Sequence, residues 1–370
     1  MAFPFLPTNG TGVSSLQLAQ ARSNYPCVPN IKGQSEPSFS GTFDDLLAQT
    51  TNKAALQVQL KNKVKKCSCG KPCAFTLAVC NSCGRSLADT EISYTNNVFM
   101  GFIYGLKGLP VSLRYESEDF LCFDDLLAIS SAHFNCIPTS VYLPDVRYVL
   151  KDPKAGLKLI QSMHDICWQI FVSQFYGNVE WRKKTFKGNP SPEELRPLVI
   201  TGFNYPPSQY QLHLQFIVPP MMPTHFAMYQ QGHHYTHKRF IPFEYIEQVL
   251  KLEQPLNQAD SMSIGEIIHH FNTLGVEYDA IHSSCYQRYG ASQAQLANYD
   301  PNDFGAIIVN GTAMYDLKNG AEIAGADVKV VQAADKMALQ NYGRPYINSQ
   351  PSTSYYSFAK KHACPTTLTK

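Results

Sequence analysis

Five of the chain's eleven cysteines, Cys67, Cys69, Cys73, Cys80 and Cys83, fall within residues 67–83, and nothing else in the sequence limits its folding as strongly. Thiols this dense among lysine and glycine make a poor apolar core. A disulfide framework would spread its cysteines along the chain and use an even number of them. The cluster therefore reads as a metal site. Zinc takes four thiolate or imidazole ligands in a tetrahedron, and two short cysteine turns brought together supply that geometry. Cys80-Asn-Ser-Cys83-Gly84 is one such turn, with Gly84 permitting the tight reversal. Cys67-Ser-Cys69-Gly70 is the other, one residue shorter. The expected ligands are Cys67, Cys69, Cys80 and Cys83, with Cys73 able to replace Cys67. Four thiolates leave no open position for water, so this zinc is expected to be structural.

Composition narrows the rest. With 31 basic and 29 acidic residues the net charge is +2, which excludes nucleic-acid binding by bulk charge. A 44% hydrophobic content over 370 residues is enough for a sizeable core and two or three domains. No apolar run reaches the roughly 18 residues of a membrane span. Residues 1–40 lack a basic stretch followed by an apolar one. The expectation is an intracellular, cytoplasmic protein with no membrane partner.

The chain divides by pattern. Residues 1–40 are rich in Pro, Gly, Ser, Thr and Asn and are expected to form a flexible arm. Residues 41–66 carry Leu46, Leu47, Leu56 and Leu60 and end on Lys61, Lys63, Lys65 and Lys66, which predicts a helix. The zinc ribbon follows at 67–86. Within 95–240, short β-rich runs occur at 98–104, 110–115, 120–123, 133–137, 198–203 and 210–218. Leu159, Met163, Ile166 and Ile170 recur at helical spacing among them, with Gly177 as a stop signal. Residues 241–370 read as a mostly helical extension, with helices at 242–253 and 262–290, strands near 306–309 and 328–331, and an irregular tail. The fold class is α+β with an antiparallel sheet.

One strand presents chemistry. In Tyr210-Gln211-Leu212-His213-Leu214-Gln215-Phe216-Ile-Val218, the large apolar residues fall on one face and Gln211, His213 and Gln215 on the other. A histidine between two amides is oriented by groups that do not titrate. It can attack phosphorus through one ring nitrogen while the other donates to a backbone carbonyl, and Gln215 can donate to phosphoryl oxygens. Just upstream, Gly202-Phe-Asn204-Tyr-Pro-Pro-Ser208-Gln209 is a turn rich in hydrogen-bonding groups.

These residues resemble the histidine triad superfamily, whose signature strand is His-x-His-x-His, and more closely its His-x-His-x-Gln branch of uridylyltransferases and dinucleoside polyphosphate phosphorylases. Tyr115–Asp125 is similar to that family's acidic turn and strand, and Ser131-Ala-His133-Phe-Asn-Cys-Ile-Pro138 to its His-containing strand ending in Ile-Pro. A long helix from Leu157 follows in the expected order, so the resemblance spans about 99–225. It implies a histidine-triad domain in which His213 and Gln215 are catalytic. It further implies that Asp124 or Asp125 holds the ribose, and that Asn204, Ser208, Gln209 and Gln211 surround the nucleotide. Gln211 replaces the first histidine of the signature, which makes a second zinc there unexpected. The cysteine segment resembles a zinc ribbon. The implied activity is a nucleotidyltransferase or phosphorylase acting on a nucleoside polyphosphate or nucleotide sugar through a nucleotidyl-His213 intermediate, with a dinucleoside polyphosphate hydrolase as a further alternative. Relatives of this kind commonly form homodimers.

The alternative from another class is a histidine-triad module that binds RNA or a protein partner. Its contacts would come from the ribbon, from Lys61–Lys66, and from the basic, aromatic run Trp181-Arg182-Lys-Lys-Thr-Phe186-Lys187, expected as an exposed loop or hairpin tip. His233-His234-Tyr-Thr-His237-Lys-Arg239 is close enough in sequence to fold back on the signature strand. His269 and His270 are adjacent on a helical run and cannot share a face.

Overall fold

The structure, a computed structural model, describes residues 42–49, 53–80, 85–104, 113–117, 119–125, 128–221, 223–298, 306–310 and 313–316. The arm at 1–40, Cys83, the strand expected at 328–331 and the irregular tail lie outside the described residues.

The N-terminal module differs from the single helix expected over 41–66. It has two short helices, α1 (Phe43–Gln49) and α2 (Lys53–Leu60), and then strand β1 (Lys61–Lys66). The lysine-rich stretch is a strand because its apolar and amide positions alternate: Asn62 and Val64 are fully buried while the lysines between them face outward. β1 is the centre of a three-stranded antiparallel sheet, flanked by β2 (Pro72–Ala74) and β3 (Ile92–Asn96). The run at 98–104, expected as a strand, is instead helix α3 (Val98–Ile103). The Asn97 side chain caps it by accepting from the Met100 N–H. Its Met100 and Ile103 are buried with Leu56 and Leu60 of α2, so tertiary packing selects the helical period.

The main sheet has six antiparallel strands: β4 (Leu113–Glu116), β5 (Phe120–Asp124), β6 (Ser130–Pro138), β7 (Ile200–Asn204), β8 (Leu214–Met221) and β9 (Phe240–Pro242). They run in the order β4-β5-β6-β8-β7-β9. The α+β class with antiparallel sheets is as the sequence predicts. On one face, Phe120, Cys122, Phe134, Cys136, Leu214, Phe216 and Val218 pack on α4 (Pro153–Ile170) through Leu159, Ile160, Met163, Ile166 and Ile170. That helix begins on an Asp152 cap with Pro153 in its first turn. It passes into a π-helical segment, Phe171–Tyr176, before Gly177.

The opposite face is divided. At one end Leu121, Phe123 and Ile137 meet the N-terminal helices. At the other, Ile200, Ile217 and Met221 meet Tyr229, Cys285 and Tyr289. His133, Asn135 and Gln215 lie on this same face between the two apolar clusters, Asn135 directly across from Gln215.

The rest of the helices are α5 (Val179–Thr185), α6 (Pro192–Leu195), α7 (Pro223–Gln230), α8 (Phe243–Lys251), α9 (Ile264–Thr273) and α10 (Tyr278–Leu296). A short hairpin, β10 (Ala306–Asn310) and β11 (Ala313–Asp316), follows. The boundary expected at 240/241 does not separate a helical extension. It cuts through β9, an edge strand of the sheet, and α8, α9 and α10 bury Phe243, Ile246, Phe271, Tyr278 and Leu296 in the main core. The helix expected over 262–290 is two helices, broken by a turn at 274–277.

The two modules are joined at the loop preceding His213. The fully buried Asn62 donates to Gln209 Oε1 (3.0 Å) and accepts from the Tyr210 N–H (2.9 Å), while Asn97 Nδ2 donates to the Tyr210 carbonyl (3.0 Å). Asn62→Ala leaves buried backbone groups unpaired and is expected to destabilise the protein by about 2 kcal/mol, measured by urea unfolding.

Candidate functional site

His213 sits just before β8, not within it, because the chain at 210–213 leaves ladder pairing to meet the loop after β6. Gln211 is the cause. Its amide is fully buried: Oε1 accepts from the Leu143 N–H (3.1 Å), and Nε2 donates to the carbonyls of Pro138 (2.6 Å) and Val141 (2.8 Å). With all three bonds committed to backbone, Gln211 does not reach a ligand. It fixes its own carbonyl, which stands 2.8 Å from His213 Nδ1. A carbonyl only accepts, so Nδ1 carries the proton and Nε2 keeps its lone pair. The ring is buried, with Phe99 of α3 edge-on at 5.1 Å. Burial pulls its pKa below the usual imidazole range, against the opposing pull of the Gln211 carbonyl and Asp125.

The other expected residues separate into two groups. Asp124 is buried in a bidentate pair with Arg114, Oδ1 to Nε at 2.7 Å and Oδ2 to Nη2 at 2.8 Å, and the guanidinium lies over the Phe175 ring. Its carboxylate is committed there and does not reach a ribose. Asp125 faces the other way. It accepts from Asn135 Nδ2 (2.9 Å), lies 3.5 Å from His133 Nε2, and lines a pocket with Asn204 and Gln215. Gln209 spends its side-chain oxygen on Asn62 and the Val98 N–H, which makes it a tie between modules rather than a free phosphate ligand. Ser208 is half-buried in the same turn and is not among the pocket-lining residues.

The pocket has a volume of about 70 Å³ and also takes in Lys71, His133, His225, His233, His234 and Arg239. Sequence reasoning did not place Lys71 or His225 here, because they come from the ribbon turn and from α7. Of the residues around this pocket, His233, His234 and Arg239 are signalled by the His233–Arg239 run, whereas Lys71 and His225 have no signal. Gly202, opposite Gln215 on β7, has no room for a side chain: a Cβ would fall 2.6 Å from the Phe240 ring and the Ile241 carbonyl.

Two cysteine triads can hold a metal ion. In the ribbon, the sulfurs of Cys67, Cys69 and Cys80 all lie within 4.8 Å of one another, and Cys73 Sγ is 3.6 Å from Cys80 Sγ. Tetrahedral zinc–thiolate bonds of about 2.3 Å require sulfurs about 3.8 Å apart. The chain turns tightly there, with Gly70 at φ 92° and its N–H donating to the Cys67 carbonyl. The second triad, Cys122, Cys136 and Cys167, was not expected. Cys122 and Cys136 are cross-strand partners, and Cys167 covers them from α4 in the apolar core.

The basic, aromatic run at 181–187 is not an exposed loop. Trp181 and Phe186 are buried, and Arg182 lies over the Tyr176 ring, so these aromatics do not offer a stacking surface for bases. No helix among the described residues is long and apolar enough to cross a membrane. Comparison with protein-family models, curated proteins and solved structures finds no match.

Two stability outcomes follow from this geometry. Asp124→Asn leaves the buried Arg114 charge without its partner and is expected to cost about 3–5 kcal/mol, whereas Asp125→Asn, in a partly exposed side chain, is expected to cost less than about 1 kcal/mol, both by chemical unfolding. Burial also lowers the pKa of His133, His213, His225 and His234, the last to about 3. The unfolded chain therefore takes up protons below the ordinary value of 6.5 that the folded chain refuses, so stability is full above that pH and falls as pH drops. His234 alone should remove on the order of 1 kcal/mol by about pH 5.5, measured as a fall in the unfolding free energy.

Proposed function

We propose that the protein transfers a nucleoside monophosphate group by way of His213, from a nucleoside polyphosphate or nucleotide sugar to a phosphate acceptor, in a domain of histidine-triad type. The observation that carries this reading is the 2.8 Å bond from His213 Nδ1 to the Gln211 carbonyl, which leaves Nε2 as a neutral nucleophile held in one orientation.

In the first step the Nε2 lone pair attacks the α-phosphorus. The N–P bond forms, the P–O bond to the leaving phosphate breaks, and that oxygen departs with the electron pair. The positive charge that develops on the imidazole is stabilised by the Gln211 carbonyl against Nδ1–H and by the nearby Asp125 carboxylate. In this reading Gln215 donates to the non-bridging oxygens and Asp125 takes a ribose hydroxyl; both residues line the pocket. In the second step an oxygen of the acceptor attacks phosphorus and the N–P electrons return to Nε2. Dividing one displacement into two makes each easier.

Zinc is the proposed occupant of the ribbon triad, with a fourth thiolate completing the tetrahedron. Its role is to hold the turn that carries Lys71 against the main sheet.

Intact-mass spectrometry after incubation with dinucleoside tetraphosphates and nucleotide sugars should reveal a nucleoside monophosphate adduct on the wild type and none on His213→Ala. Phosphate should discharge the adduct; discharge by water alone would make the protein a hydrolase, and no adduct with any donor would sink the reading. Elemental analysis of the purified protein should find roughly one zinc per chain, lost in Cys80→Ser.

A further inference from the structure

The pocket beside Gln215 gathers more nitrogen donors and cations than its single carboxylate, Asp125, can satisfy. His133 Nδ1 accepts from the Ile129 N–H (3.0 Å), which places its proton on Nε2. That buried Nε2–H makes no hydrogen bond, and the nearest carboxylate oxygen, Asp125 Oδ2, stands 3.5 Å away. The buried Nε–H of Arg239 is likewise without an acceptor. The same guanidinium is held through Nη1 by Thr76 Oγ1 of the ribbon (2.8 Å) and by the carbonyls of Tyr205 (2.7 Å) and Pro206 (3.3 Å). None of these is a carboxylate, and among the described residues Arg239 has no ion pair. His225 and His234 bond to each other (Nδ1 to Nε2, 2.9 Å), leaving His225 Nε2 buried and unpartnered. Lys71 enters from the ribbon turn and adds a second positive charge. Against these stands one acid, Asp125, already bonded to Asn135.

Each group could be a structural accident alone, but an unsatisfied buried donor costs about 1–3 kcal/mol, and here several meet around one cleft. A cation does not explain them. The histidines do not converge as ligands do, since the only groups of three ligand atoms within 4.8 Å among the described residues are the two cysteine triads. Two of the orphan positions, His133 Nε2–H and Arg239 Nε–H, can only donate. What satisfies donors and positive charges together is an oxyanion, and about 70 Å³ is room for a tetrahedral one.

We propose that this pocket is a phosphate site assembled by both modules, in which Lys71 of the cysteine ribbon and Arg239, His133 and His225 of the main domain bind inorganic phosphate or a terminal phosphoryl group. The ribbon thereby contributes a ligand to the site as well as stability. Naming this phosphate as the acceptor rests on the transfer reading; the binding itself does not. Because the cleft adjoins Gln215, a phosphate bound there is delivered to the side of the sheet where a nucleotidyl-His213 would be discharged.

The test is titration calorimetry of the full chain with inorganic phosphate. The wild type and His213→Ala should bind alike, and Lys71→Ala should bind roughly ten to a hundredfold more weakly, as expected for loss of one charge-assisted bond. Lys71 is used because its side chain is only half-buried, and circular dichroism with zinc analysis checks that the variant is folded and its cysteine site intact. Arg239→Lys, which keeps the charge but loses Nε–H, should also weaken binding. Absence of phosphate binding by the wild type, or unchanged binding by folded Lys71→Ala, would overturn the proposal. Phosphate binding without any nucleotide adduct would leave the pocket standing and remove only its assignment as acceptor site.

Discussion

The buried amide of Gln211 is the constraint on which the rest of the site depends. Its three bonds to the 138–143 loop hold the end of β6 against the start of β8, and they fix the carbonyl that accepts from His213 Nδ1–H. An uncharged side chain serves here because both ends of a fully buried group must be satisfied by the protein. A histidine at the same position offers one donor and one acceptor; an amide offers two donors and an oxygen, matching two carbonyls and one N–H. The amide at this position is thus a local solution to burying a loop.

The same segment is clamped from the other side. Asn62 and Asn97, from the ribbon sheet and the cap of α3, hold Gln209 and Tyr210, and Arg239 reaches back to Thr76. Ribbon, helices and main sheet meet around residues 204–213, so a cysteine-rich turn far away in sequence comes to line the same cleft as Gln215. That placement gives the cysteine cluster a function that its coordination chemistry alone would not suggest.

Much of the architecture was legible. The helical period of Leu159, Met163, Ile166 and Ile170 and the alternation through Leu214, Phe216 and Val218 reflect burial on one face, and burial leaves its period in the sequence. The errors lie where burial is two-sided or supplied by another module. Residues 98–103 are apolar enough for a strand yet form a helix, because α2 covers Met100 and Ile103. Residues 61–66 form a strand because β2 and β3 flank them. The boundary at 240/241 failed because a three-residue edge strand is too short to show a period.

For the site, residue types were determined by the sequence and their roles by the tertiary structure. His213 between two amides and the crowded cysteines can be read directly, since their chemistry needs only neighbours along the chain. Asp124 and Asp125 are indistinguishable in sequence, and only the sheet separates them: one side chain meets Arg114 in the core and the other faces the pocket. Lys71, His133, His225 and Arg239 carry no shared pattern, because they come from four elements that converge only once the ribbon docks on the sheet. Alternation decides which face a residue takes, but what it meets there depends on packing between segments distant in the chain.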